Sequence, residues 1–327
     1  MEVSRRDVLE AAERIAGQVE RTPLVEARVH GARLWLKCEC LQTGGSFKLR
    51  GATNRLMQLD DEQRRRGVVA FSSGNHARGV AIAARRLGIR ATIVMPSDAP
   101  AAKVEGTRGE GAEIVFYDRA TEDRAAIAGG LAADLGATVV PSFDDAMIVA
   151  GQGSVGLEIL DQLAEAGESS PARIVVPTGG GGLASGIALA CPETEIICVE
   201  PEGWDDMRVS LELGHIVPVP RDAPPTLCDA LQTPRVSPIT FGILQQRRTK
   251  AVAVSEQDVL DAVRFAWPEH RLTVEPGGAV ALAALLSGRI EATSEMGAGT
   301  VAVLSGGNVD PALHARIVSA DHPTEVR

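Results

Sequence analysis

Apolar residues in this chain alternate between short Val- and Ile-rich runs and longer stretches at helical spacing. Ser4 precedes the stretch Arg5 to Val19, in which Val8, Leu9, Ala12 and Ile15 share one face, so the spacing predicts a capped amphipathic helix. Leu34 to Cys38 predicts a strand, and Cys38 and Cys40 flank Glu39 in continued alternation. Strands are then expected at 67–71, 91–95, 113–117 and 138–140, with helices over 75–87, 101–108 and 121–135 between them. A second series predicts helices at 154–164 and 183–190 and strands at 173–177, 196–199, 252–254 and 300–304. Two further helices start at Ser255, with Asp258 three residues on, and at Gly277.

Strands alternating with helices indicate parallel sheets covered on both faces. The two series predict an α/β fold of two doubly wound, mostly parallel sheets. The expected division is a large domain of residues 1–57 plus 145–315, a small domain of 58–144 and a tail of 316–327. In such folds ligands sit where strand C-termini meet helix N-termini. Four prolines make 218–225 a predicted loop, and the chain after Asp310 is expected to be peripheral.

At 327 residues and 45% hydrophobic, the chain has enough apolar material for two domains of ordinary size. The net charge is −10, and the one basic run, Gln63-Arg64-Arg65-Arg66, reads as a solvated helix end, which argues against a nucleic-acid or anionic-membrane partner. The N-terminus lacks the apolar segment of a signal peptide, and no apolar run approaches the roughly 20 residues of a membrane span. A cytoplasmic location is therefore expected. Five cysteines without Cys-x-x-Cys spacing indicate neither a disulfide framework nor a zinc site.

Four segments carry candidate chemistry. Ser46-Phe47-Lys48-Leu49-Arg50-Gly51-Ala52 sets a lysine among small residues behind Gly44-Gly45, where a desolvated amine can attack an aldehyde. Gly179-Gly180-Gly181-Gly182 lies between a predicted strand and a predicted helix, a place where backbone N–H groups converge on a phosphate. Ser72-Ser73-Gly74-Asn75-His76 occupies another strand-to-helix turn, and its hydroxyls and amide suit a carboxylate as well as a simple helix cap. Ser305-Gly306-Gly307-Asn308 follows the last strand. A fifth segment, Gly151-Gln152-Gly153-Ser154-Val155-Gly156, matches a dinucleotide fingerprint, but only the short run Ile148-Val149-Ala150 precedes it as a strand, so that reading is set aside.

Taken in order, these four segments resemble the serine/threonine dehydratase and serine racemase family, pyridoxal-phosphate enzymes of fold type II. Arg21-Thr22-Pro23-Leu24, Ala150-Gly151-Gln152-Gly153 and Val199-Glu200-Pro201 extend the resemblance over about residues 7–312. It implies that Lys48 holds the cofactor as a Schiff base and serves as the base at Cα. It further implies that Phe47 borders the ring, Asn75 meets the ring 3-oxygen, Gly179 to Gly182 hold the phosphate and Ser305 faces the pyridine nitrogen. A neutral hydroxyl there does not enforce ring protonation, which favours β-elimination over transamination. Ser72, Ser73, Asn75 and His76 would contact the substrate carboxylate, and Ser73 is either a second acid/base opposite the lysine, as inversion requires, or a cap.

Glu200, Trp204 and Asp206 resemble the divalent-cation loop of part of the family, an all-oxygen set suited to magnesium or calcium, with a plain acidic loop as the alternative. The family's usual Thr-Gly is Gly44-Gly45 here, and its Ala-Asp-Gly is Cys228-Asp229-Ala230. Arg124 and Arg235 are either surface arginines or partners for a substrate side-chain carboxylate. The expectation is a homodimeric ammonia-lyase that converts L-threonine or L-serine to a 2-oxo acid and ammonia. Serine racemase, 3-hydroxyaspartate dehydratase and a non-catalytic phosphate-ligand sensor are the alternatives.

Overall fold

Side chains on successive positions of the central strands point into different cores, and this two-residue period sets the architecture. In the computed structural model, Val175 packs into one apolar cluster while its neighbours Ile174 and Val176 pack into another. The second sheet repeats the pattern, with Ala70 on one side and Val69 on the other. The description covers residues 3–72, 74–293 and 298–320.

Helix α1 (Arg5–Ile15) is capped by Ser4 and Asp7 and leads into an antiparallel hairpin of β1 (Leu24–Val29) and β2 (Ala32–Lys37). Helices α2 (Lys48–Met57) and α3 (Asp61–Arg66) precede a compact series. Its members are β3 (Val68–Phe71), α4 (Asn75–Leu87), β4 (Ala91–Pro96), α5 (Ala101–Arg108), β5 (Glu113–Tyr117), α6 (Arg124–Leu135) and β6 (Thr138–Val139). Helix α7 (Ala146–Glu165) then opens β7 (Arg173–Pro177), α8 (Gly182–Ala190), β8 (Glu195–Pro201), α9 (Asp206–Leu213), α10 (Pro238–Gln246) and β9 (Lys250–Val254). The chain closes with α11 (Glu256–Ala266), α12 (Pro276–Leu286), β10 (Thr300–Val303) and α13 (Pro311–Ser319). The larger sheet runs β1-β2-β10-β7-β8-β9 and is parallel except at the hairpin, and the smaller runs β5-β4-β3-β6 in parallel. The doubly wound α/β expectation holds.

Several local expectations are corrected. The helix expected from Ser154 starts at Ala146, so Ile148, Val149 and Ala150 are helical and the G-x-G-x-x-G segment lies inside α7. Its glycines serve close packing: a Cβ on Gly151 would stand 2.7 Å from Gly51 Cα, and one on Gly153 would stand 2.7 Å from the Gly186 carbonyl oxygen. Helix α1 stops at Ile15 instead of Val19, and β2 ends at Lys37, beyond which Glu39–Leu41 form a short 3-10 turn. The segment after Asp310 is docked as α13: Ile317 is buried, its carbonyl accepts from Arg264 Nε at 2.8 Å, and His314 meets Trp267 edge-on.

Candidate active site

Lys48 is the first residue of α2, and the turn before it is stitched to the end of β10. Ser46 bridges to Gly306, and Phe47 N donates to the Ser305 carbonyl at 3.2 Å. Residues more than 250 positions apart in sequence thus lie side by side. Behind Lys48, Arg50 is fully buried and its guanidinium meets Glu39 at 2.8 Å and Glu158 at 2.6 Å, tying α2 to the turn after β2 and to α7. Burial works against these charges, but the Arg50 guanidinium holds Glu39 below the usual carboxylate range.

Lys48, Phe47, Ser72, Asn75, His76, Arg124, Gly179, Gly180, Gly181, Gly182 and Ser305 all line one cavity of about 580 Å³ between the two sheets. Ser73 lies outside the described residues. The Lys48 Nζ donates to the Ser142 carbonyl at 3.1 Å and stands 5.1 Å from the Phe47 ring centre. Burial pulls its pKa down to about 8, against the opposing pull of Glu275, so the amine is easier to deprotonate than a surface lysine.

The glycine segment follows β7 and forms the N-terminus of α8, with Gly181 at φ 84° as the cap. A Cβ on Gly180 would sit 2.3 Å from the Phe143 ring, so only glycine fits. The helix has nine residues and no side-chain cap, and uncapped N–H groups at a helix start suit a phosphate.

The turn after β3 brings Ser72, Asn75 and His76 to the opposite wall. Ser72 Oγ accepts from Gly74 N at 3.2 Å. One ring nitrogen of His76 pairs with the Val140 carbonyl at 2.9 Å, and burial, with Lys48 nearby, drives its pKa down to about 3, so the ring is neutral. Arg124 opens α6, its guanidinium 5.8 Å from the Phe71 ring centre, and it has no ion-pair partner among the described residues. Arg235 is exposed at the cavity rim, whereas Arg119 is held by Asp98.

The cavity also contains residues that the sequence did not single out. Glu275 is buried, accepts from Asn75 Nδ2 and is pushed by burial and by Asp229 up to about 7. Lys103 of α5 pairs with Asp229 of the 229–231 turn, joining the two walls. Glu275 stands immediately before Pro276-Gly277 at a helix start, a place where a sequence shows only a cap.

Glu200, Trp204 and Asp206 lie apart from this cavity, at the junction of β8 and α9. Glu200 accepts from Met207 N at 3.0 Å and Arg208 N at 2.9 Å, and Asp206 Oδ2 accepts from Val236 N at 2.7 Å. Asp206 Oδ1 is buried without a partner among the described residues, and the Trp204 indole donates to the Pro224 carbonyl at 2.8 Å. Burial, and for Glu200 the neighbouring Asp206, raises both carboxyls, Glu200 well above its ordinary value and Asp206 to about 7. Among the described residues no group of three or more His, Cys, Asp or Glu side chains gathers as a metal cluster, and no helix is long and apolar enough to cross a membrane.

The sequence profile described as pyridoxal-phosphate dependent enzyme matches residues 15–306, which include every segment of the cavity wall. The chain belongs to the pyridoxal-phosphate-dependent enzymes. Pyridoxal phosphate is the cofactor of this family, and the fold is its fold type II. A relative named L-threo-3-hydroxyaspartate ammonia-lyase from Pseudomonas sp is 42% identical, with 96% of this chain and 98% of the relative covered. Another of the same name from Saccharomyces cerevisiae is 39% identical, covering 97% and 98%. The solved structure of maize serine racemase superposes with a TM-score of 0.89 at 35% identity over 97% of both chains. This pyridoxal-phosphate-dependent enzyme thus falls among ammonia-lyases and racemases that act on small amino acids.

Proposed function

We propose that this enzyme is an ammonia-lyase that removes water from a 3-hydroxy amino acid carrying a second carboxylate, 3-hydroxyaspartate, to give a 2-oxo acid and ammonia. Arg124 carries the reading: its guanidinium, without an ion-pair partner among the described residues, lines the same cavity as Lys48, and a carboxylate on the substrate side chain would supply one. The identity to two relatives of that named activity supports the same substrate.

The residues present fit the cofactor. Gly179 to Gly182 would hold its phosphate at the α8 N-terminus, Phe47 would flank its ring, Asn75 would meet the ring oxygen and Ser305 would offer a neutral hydroxyl to the ring nitrogen. Pyridoxal phosphate when bound supplies an electron sink for charge developing at Cα. Lys48 would anchor it and, as a free amine, would take the Cα proton, for which its lowered pKa suits it. Ser72, Asn75 and the neutral His76 orient the α-carboxylate, with Ser73 assigned beside them from the sequence. Glu200 and Asp206, with the Trp204 carbonyl, would hold a divalent cation, and Asp206 Oδ1, without a partner among the described residues, supports that assignment.

The second reading, deamination of L-threonine or L-serine with or without racemisation, is favoured by the Phe71 and Phe143 rings, which wall the same cavity and suit an uncharged side chain. The purified protein should be given L-threo-3-hydroxyaspartate, L-threonine and L-serine, with 2-oxo acid and D-serine measured separately. We expect the highest kcat/KM on hydroxyaspartate, and Arg124→Met should lower it there by about tenfold to a hundredfold while leaving serine within about threefold. Equal losses on all three substrates would refute the role of Arg124.

A further inference from the structure

The amide of Asn75 opens α4 at the cavity wall, and its orientation is determined by a chain of hydrogen bonds. Asn75 Oδ1 accepts from Asn308 Nδ2 at 2.7 Å. Asn308 gives its other Nδ2 hydrogen to the Gly44 carbonyl at 2.8 Å, and its Oδ1 accepts from Arg78 at 3.1 Å. Every polar atom of the Asn308 amide is engaged, so neither this amide nor that of Asn75 can be turned over without losing bonds. Asn75 Nδ2 carries two hydrogens, of which one goes to Glu275 Oε1 and the other has no acceptor among the described residues. Glu275 is 2% exposed, and its second oxygen, Oε2, has no partner among the described residues although the residue lines the cavity.

We propose that Glu275 is a positioning residue for the cofactor ring: by taking one Nδ2 hydrogen of Asn75 it commits the other to the oxygen substituent of the pyridine ring, and its own charge state tunes that contact. This inference rests on the assignment of the Lys48 cavity as the cofactor site. Two hydrogens on one nitrogen compete, so an ionised Glu275 draws harder on its own and leaves the second a weaker donor. The groups that face Glu275 are Asn75 of α4, Lys48 of α2, Lys103 of α5, Asp229 of the 229–231 turn and the Cys228 thiol just before it. Burial and Asp229 favour its neutral form, while Lys103, Asn75 and Lys48 favour the ionised one, and the balance falls at about 7.

The test is a pH titration of the visible absorbance of the cofactor-loaded protein. We expect a step at about 7 in the wild type and none in Glu275→Gln, which keeps the acceptor and cannot ionise. Lys103→Met should move the step to higher pH and Asp229→Asn to lower pH, which keeps the question decidable should Glu275→Gln fail to fold. Superimposable wild-type and Glu275→Gln profiles, or a step unmoved by both other variants, would overturn the proposal. The cofactor-free protein gives an independent readout. A carboxyl raised from 4.5 to about 7 keeps its proton longer in the folded state, so it costs stability as pH rises through that window. Glu275→Gln should therefore gain in melting temperature relative to the wild type between those pH values, and a constant difference would count against the proposal. A wild-type protein that shows no visible band with pyridoxal phosphate would overturn the site assignment itself, and this inference with it.

Discussion

A lysine with a pKa near 8 is about one-tenth neutral at pH 7, roughly two-hundredfold more than an ordinary surface lysine. The neutral amine is the nucleophile, so attachment of pyridoxal phosphate to the cofactor-free chain should accelerate about tenfold per pH unit and level off above pH 8. Stopped-flow absorbance checks this, and Lys48→Ala should show no visible band at any pH. A rate independent of pH would place the amine elsewhere. At this scale the lining of the candidate site was largely legible: Lys48, Phe47, Asn75, the glycine segment and Ser305 stand in motifs, Arg124 was open between a surface arginine and a carboxylate partner, and all line the cavity. Glu275, Lys103 and Phe143 were not legible, because their importance comes from burial and from partners far away in sequence. Glu275 meets Asn75 across 200 positions, and Lys103 meets Asp229 across 126.

At the scale of elements, the buried ion pairs around Arg50 hold the first turn of α2 and therefore Lys48. Lys37 joins the same group, with its Nζ 2.6 Å from Glu158 and 2.9 Å from Gln162. Removing one partner strands the others in a fully buried site, so Glu39→Gln should cost about 3–5 kcal/mol in urea unfolding. A loss below about 1 kcal/mol would show that the group is rehydrated. Strands in the sheet interiors were legible because Val and Ile recur there at short runs bounded by turns. The edge strand β1 was not, since it mixes Glu26 and Arg28 among apolar residues and is specified by pairing with β2. The start of α7 was missed for a related reason: Gly151, Gly153 and Gly156 weaken local helix propensity, and packing against α2 and α8 overrides it.

At the scale of the whole molecule, the cavity exists because α2 and the turns after β7 and β10 meet the turn after β3 across two separate sheets. The β8–α9 junction carries the other prediction. An ion bound only by the folded chain stabilises it by about 2.7 kcal/mol at a hundredfold excess over its Kd. Magnesium or calcium should therefore raise the melting temperature of the wild type by several degrees and leave Asp206→Asn unchanged. An unresponsive wild type would mean that Glu200 and Asp206 serve only the backbone N–H groups they already hold. The sequence by itself determined the α/β class and the glycine turn, because period and local turn chemistry are properties of neighbouring residues, and it offered Lys48 as a candidate through the order of its motifs. The tertiary structure alone decided which of its carboxyls and cations face the cavity, and how Glu275 and Lys48 shift each other's protonation. Burial and Coulomb interaction depend on distance in space, and no local pattern encodes that distance.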